Sequence, residues 1–167
     1  MMDFRFHLNW KKMEADMVYQ TPDKIAQLYD QDYHSWLEST IQHLKSSNFS
    51  EVDWENLIEE LEDMGRSEKR AVYSNLKILL LHLLKYRYQP EKRSKSWLSS
   101  ICEHRQRLHR SFRESPSLKN YFEIVIPESF EDARELTSKE TGLNINSLPN
   151  ECPFSIEEIL DREFFGD

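Results

Sequence analysis

Glycine is scarce in this chain, with three among 167 residues. That scarcity argues against a glycine-rich phosphate loop and against an all-β fold with many tight turns, since both depend on residues that reach positive φ. Cysteine is scarcer still. Cys102 and Cys152 lie far apart with no Cys-x-x-Cys pair, so neither a disulfide framework nor zinc-ligand spacing follows. Such usage fits a reducing compartment, and the cytoplasm is the expected location. The longest apolar run, residues 78–84, is interrupted by His82 and falls well short of the ~18–20 residues of a membrane span. No membrane association is expected. The N-terminus lacks a basic stretch leading into an apolar core, so no secretory leader is expected. Internal repeats and low-complexity tracts are missing, as are Walker, Rossmann and serine-hydrolase motifs.

What is present is an ordered, charged chain: 38% apolar, 12% aromatic and 31% charged. The aromatic content is too high for a disordered segment. The length suits one domain, expected at residues 19–167, with residues 1–18 as an N-terminal tail or extension. In that tail Phe4, Phe6, Leu8 and Trp10 alternate with Arg5, His7 and Asn9, a strand-like period with no second strand to pair with.

From Thr21 onward the apolar period is helical. Thr21 as N-cap and Pro22 at the first helical position open a helix that carries Ile25, Leu28, Tyr29, Tyr33, Trp36, Leu37, Ile41 and Leu44 to an end near Ser46. Ser50 and Asp53 are caps for a second helix, residues 53–89, stopped by Pro90. Its length of about 36 residues corresponds to roughly 54 Å. Gly65 marks a bend or break within it, and residues 78–84 are apolar nearly all round, which places them in the core. A third helix starts near Ser94 or Ser96, turns Trp97, Ile101, His104, Leu108 and Phe112 inward, and ends at Ser115-Pro116. A fourth element begins at Ser117. Its segment 121–126 is aromatic and β-branched enough for a short strand, Pro127 breaks or kinks it, and Gly142 is its C-cap. A loop over residues 143–153 leads to Ser155-Ile-Glu-Glu158, a capping box on a short final helix. The expected fold is therefore an all-α bundle with one long central helix, three to four further helices and a short C-terminal one.

Several stretches in order carry a resemblance: LYDQDYHSWLE (28–38), LIEELEDMGRSEKRA (57–71), LLLHLLKYRYQPEKRSKSW (79–97), SPSLKNY (115–121), EDARELTSKETGL (131–143) and CPFSIEEILD (152–161). Together they resemble the bacterial, mostly cyanobacterial, family catalogued as domain of unknown function 29, over roughly residues 19–167. The resemblance implies an almost wholly helical domain. It brings no reaction, cofactor or catalytic residue.

Charge is the most informative local feature. Residues 85–113 carry a net +7, whereas residues 1–84 and 114–167 carry −6 and −9, within a total of −8. Arg87, Arg93, Lys95, Arg105, Arg107, Arg110 and Arg113 are thus a candidate face for an anionic partner, with Tyr88 or Trp97 available to stack on bases. The simpler reading pairs these cations with Glu59, Glu60, Glu62, Asp63, Glu131, Asp132 and Glu135 inside the bundle.

Glu68, Asn75 and His82 align at seven-residue steps and, with His104 from the next helix, form a candidate buried polar seam. A meeting of His82 with His104 would be the first place to look for a metal. On the first helix, Asp30, His34 and Glu38 share one ridge, as a surface ion-pair row or an oriented imidazole. No Glu-x-x-His pair supports a di-iron bundle. Cys102 and His104 do not face each other on a helix, so they form no nucleophile–base pair there. No catalytic residue, metal site or cofactor is assigned, and the chain is expected not to be an enzyme. The expected function is binding to a protein partner, or self-association. Nucleic-acid binding through residues 85–113 is the first alternative, and a metal-assisted hydrolase using His and carboxylates the second.

Overall fold

The computed structural model describes residues 22–167. The tail at residues 1–18, with its alternating Phe4, Phe6, Leu8 and Trp10, and the Thr21 cap lie outside the described residues. Within them every regular element is helical: α1 (Pro22–Gln31), α2 (Tyr33–Lys45), α3 (Trp54–Tyr88), α4 (Lys95–Glu114), α5 (Leu118–Thr141) and α6 (Ile156–Leu160), with 3₁₀ turns at Phe49–Glu51, Pro90–Lys92 and Ile145–Ser147. The all-α class, the long helix and the short last helix are those expected. The chain forms two compact units, the first ending at Asp63 and the second beginning at Met64.

In the first unit, the single helix expected from Pro22 to near Ser46 is two helices. Asp32 separates them with φ −153° and ψ 80°. Its carboxylate accepts from the Ser35 amide at 3.1 Å and the Ser35 hydroxyl at 2.7 Å. A side-chain oxygen on the amide three residues ahead is the N-cap arrangement, so Asp32 starts α2. The apolar side chains keep their three- and four-residue steps across this point, which is why periodicity alone missed the break. Trp36 is fully buried, and its indole N–H donates to Asp53 Oδ2 at 3.1 Å. Asp53 also accepts from the Asn56 amide at 3.4 Å and the Asn56 side-chain N–H at 2.7 Å, and so caps α3 as expected. Tyr29 and Tyr33 flank the Trp36 ring with centroids 5.0 and 5.5 Å away. Their hydroxyls donate to the two oxygens of Glu60 at 2.6 and 2.9 Å. The Glu60 bond, and secondarily burial, push the Tyr29 hydroxyl up to about 12.

In the second unit, α3 supplies Val72, Leu76, Leu79, Leu80, Leu81, Leu83 and Leu84 to the core. Gly65 neither breaks nor interrupts the helix. It is exposed and a Cβ there would touch nothing within 4 Å, so the cost of Gly is conformational only. Ser94 caps α4, which buries Ile101, Arg105, Leu108 and Phe112. The strand considered for residues 121–126 is not formed. α5 runs unbroken through Pro127, burying Phe122, Val125, Phe130 and Ala133 on one face. Burial on a helical stripe overrides the β propensity of that segment. Pro127 lies on the exposed side, where water can serve the carbonyl its missing N–H leaves unpaired. Gly142 ends α5 with φ 75°, the left-handed C-cap. The Ser155–Glu158 capping box forms, with bonds of 2.8 and 3.2 Å. Near the C-terminus Gly166 has φ 103°, and a Cβ there would meet the Leu83 carbonyl oxygen at 2.8 Å. Only glycine lets this segment lie against the α3 backbone.

Candidate functional site

The proposed polar seam is present only in part. Asn75 Oδ1 and His104 Nδ1 are 2.9 Å apart, so the imidazole donates there, and Asn75 Nδ2 donates to the Ala71 carbonyl at 2.7 Å. His82 lies near enough for His104 and Lys85 to act on its charge. Its Nδ1 is buried and has no partner among the described residues. Burial, with Lys85 and His104 adding to it and Glu140 opposing, lowers the His82 imidazole to about 4. Burial lowers His104 as well. Both rings are therefore neutral near pH 7. Glu68 stands exposed at the outer end, accepting from the Ser115 hydroxyl at 3.3 Å. Among the described residues no three His, Cys, Asp or Glu side chains converge as a metal-ligand group. On the first unit, His34 is exposed and pairs with Glu38 at 3.4 Å.

Several of the basic residues are engaged by other parts of the chain. Arg87 donates to the Gly166 carbonyl at 2.7 Å and lies over the Phe154 ring at 4.7 Å. Arg93 donates to the Tyr86 carbonyl at 2.9 Å and pairs with Asp167. Arg107 pairs with Glu103 one turn back. Lys85, nearly buried, bonds Glu140 at 2.9 Å and sits over Trp97 at 4.7 Å. Lys95, Arg110 and Arg113 are exposed. The pairing expected with Glu131, Asp132 and Glu135 is corrected too. Those acids meet Arg134, Lys77 and Lys139 instead. The chain's own C-terminal segment takes up Arg87 and Arg93.

Arg105 departs furthest from expectation. It is 2% exposed. Its Nε donates to the Ile159 carbonyl and its Nη2 to the Phe164 carbonyl, both at 2.8 Å. His109 Nε2 donates to the Leu160 carbonyl at 2.9 Å. The last carbonyls of a helix as short as α6 have no partner within it, and these two side chains of α4 supply donors. Burial pushes the Arg105 guanidinium below its ordinary value. The sequence reading passed over His109. The signal was there: Arg105 falls between Ile101 and Leu108 on the buried stripe, and His109 follows it by four residues.

The first unit presents a different surface. Trp54, Ile58 and Leu61, at helical steps on α3, are 47%, 53% and 59% exposed. Tyr33, Ile41 and Phe49 are exposed in the same unit, the last with its ring 6.5 Å from Trp54. Trp54, Ile58 and Leu61 belong to the same helical periodicity that runs on to the buried Leu76, Leu79 and Leu83. The structure leaves the first three open. Beside them on α3 stand Glu55, Glu59, Glu62 and Asp63.

Every regular element among the described residues is a helix, which defines a class by fold alone. More narrowly, the chain is a member of the family described as Domain of unknown function DUF29, matched over residues 28–165. No curated protein and no solved structure matches it. Among the described residues no helix is long and apolar enough to cross a membrane.

Proposed function

We propose that this chain is a non-catalytic binding module whose partner is a protein segment with an apolar stripe edged by lysine or arginine, such as a basic amphipathic helix. It docks on Trp54, Ile58 and Leu61. The observation that carries this reading is the row of three large apolar side chains, each about half exposed, along the first turns of α3. Covering such a side chain yields roughly 1.5–3 kcal/mol. Charge selects the partner. Residues 22–63 hold eleven carboxylates against two lysines. A cationic rim on the partner meets that field favourably and speeds encounter. A second copy is disfavoured, because a two-fold contact through this face sets carboxylates against carboxylates. The nucleic-acid alternative draws less support, since Arg87, Arg93 and Arg105 are held by the chain's own C-terminal segment.

The test is fluorescence anisotropy with a labelled synthetic Leu/Lys amphipathic peptide of about five turns, alongside its Leu/Glu counterpart and a scrambled control. The Leu/Lys peptide binds, binding weakens with salt, and Ile58→Ser or Leu61→Ser each lower affinity about tenfold or more. Equal binding of the acidic peptide, or indifference to both substitutions, overturns the reading. So does a dimer in sedimentation that Leu61→Ser dissociates, because it assigns the face to a second copy.

A further inference from the structure

We infer that the second unit holds a binding site for one small oxyanion of the phosphate type, in a recess between α4 and the segment after α6. Cys102, Arg105, Gln106 and His109 line it from α4, where their spacing puts them on one face, and Arg162 lines it from the other side. The space is about 60 Å³, several times the ~10–15 Å³ that a single water needs. Arg105 and Arg162 both line it, and among the described residues no carboxylate does.

The buried cation is the main argument. Arg105 is almost wholly enclosed, yet its acceptors are two neutral carbonyls, and its Nη1 has no acceptor among the described residues. A buried charge normally finds a counter-charge, and a buried donor an acceptor. Asp161 is close enough to act on Arg105 electrostatically, but its Oδ1 takes the Glu163 amide at 3.0 Å. Arg162 is exposed and forms no ion pair among the described residues. An oxyanion in the recess offsets the charge of Arg105 across a short distance and accepts from Arg162 and the Gln106 amide. Donors that come from separate elements suit a tetrahedral anion, whose oxygens point in several directions, better than a planar carboxylate. This site is independent of the acidic face on the first unit.

The experiment uses the full chain and inorganic phosphate. The alkylation rates of Cys102 and Cys152 are followed by mass spectrometry as phosphate replaces chloride at constant ionic strength. Phosphate slows Cys102 saturably and leaves Cys152, the internal reference, unchanged. Sulfate does the same, and acetate protects far less. Arg162→Gln, an exposed substitution, raises the half-protecting phosphate concentration about tenfold or more. Arg105→Lys abolishes the protection, and circular dichroism confirms that this variant is folded. The proposal is overturned if Cys102 reacts at the same rate throughout, if acetate protects as well as phosphate, or if Arg162→Gln leaves the curve where it was.

Discussion

Around Trp36 the first unit encloses little apolar matter: among its described side chains Ile25, Trp36 and Val52 are the buried hydrophobics. The second unit packs seventeen buried apolar residues about Leu80. The first relies on directed polar bonds, with Asp53 holding the Trp36 indole and Glu60 receiving both tyrosine hydroxyls. The second relies on packing, and turns several of its cations inward to carbonyls of its last segment. The consequence is functional. Where polar bonds organise the interior, large apolar side chains are left outside and free to meet a partner. Where packing does so, the unusual group is a buried cation that lacks one acceptor among the described residues.

The sharpest contrast is in stability. Leu80→Ala removes side-chain volume from the centre of the larger core and costs about 2–5 kcal/mol in urea denaturation followed by circular dichroism. Trp36→Phe keeps most of the apolar volume but takes one of two donors from Asp53 Oδ2, and costs about 1–3 kcal/mol by the same measurement. If Trp36→Phe proves the costlier of the two, the contrast between a packed and a bonded unit is broken.

Next comes pH. The unfolded His82 takes a proton near 6.5, whereas the folded one resists until about 4. Between those values the unfolded chain binds more protons, so stability falls as pH drops from about 6.5 toward 4 and levels off below. His82→Gln removes that contribution, and the loss of Tm across the window becomes smaller than in the parent chain. Some slope remains, because His104 is shifted in the same direction. Parallel curves would show that the His82 environment is not that of the described core. The smallest effect is a gain. Gly65→Ala, with open space around the new methyl, raises stability by about 1 kcal/mol, read as a higher urea midpoint with unchanged slope.

Much of the fold was readable in the sequence, because the signals were local. Pro90, Ser94, Gly142 and the Ser155–Glu158 box each fix a helix end through their own backbone chemistry. Asp32 was missed since an unbroken apolar period runs across it, and only the Ser35 bonds reveal the cap. Ile58 and Leu61 have the same three-residue spacing as the buried Leu76 and Leu79. Period says which residues share a face, and says nothing about whether another element covers that face. Of the candidate seam, Asn75 and His104 meet while Glu68 lies at the surface, because seven-residue alignment fixes direction but not depth. The basic segment misled for a different reason. Arg87, Arg93 and Arg105 bond to residues 54 to 80 positions later, and charge counted along the chain is blind to such partners.

The most direct test of the central claim is amide hydrogen exchange on the full chain with and without the Leu/Lys peptide. The account predicts added protection over residues 54–63, where Trp54, Ile58 and Leu61 become covered, and none over residues 95–114. Protection that falls on residues 95–114 and spares 54–63 would contradict it.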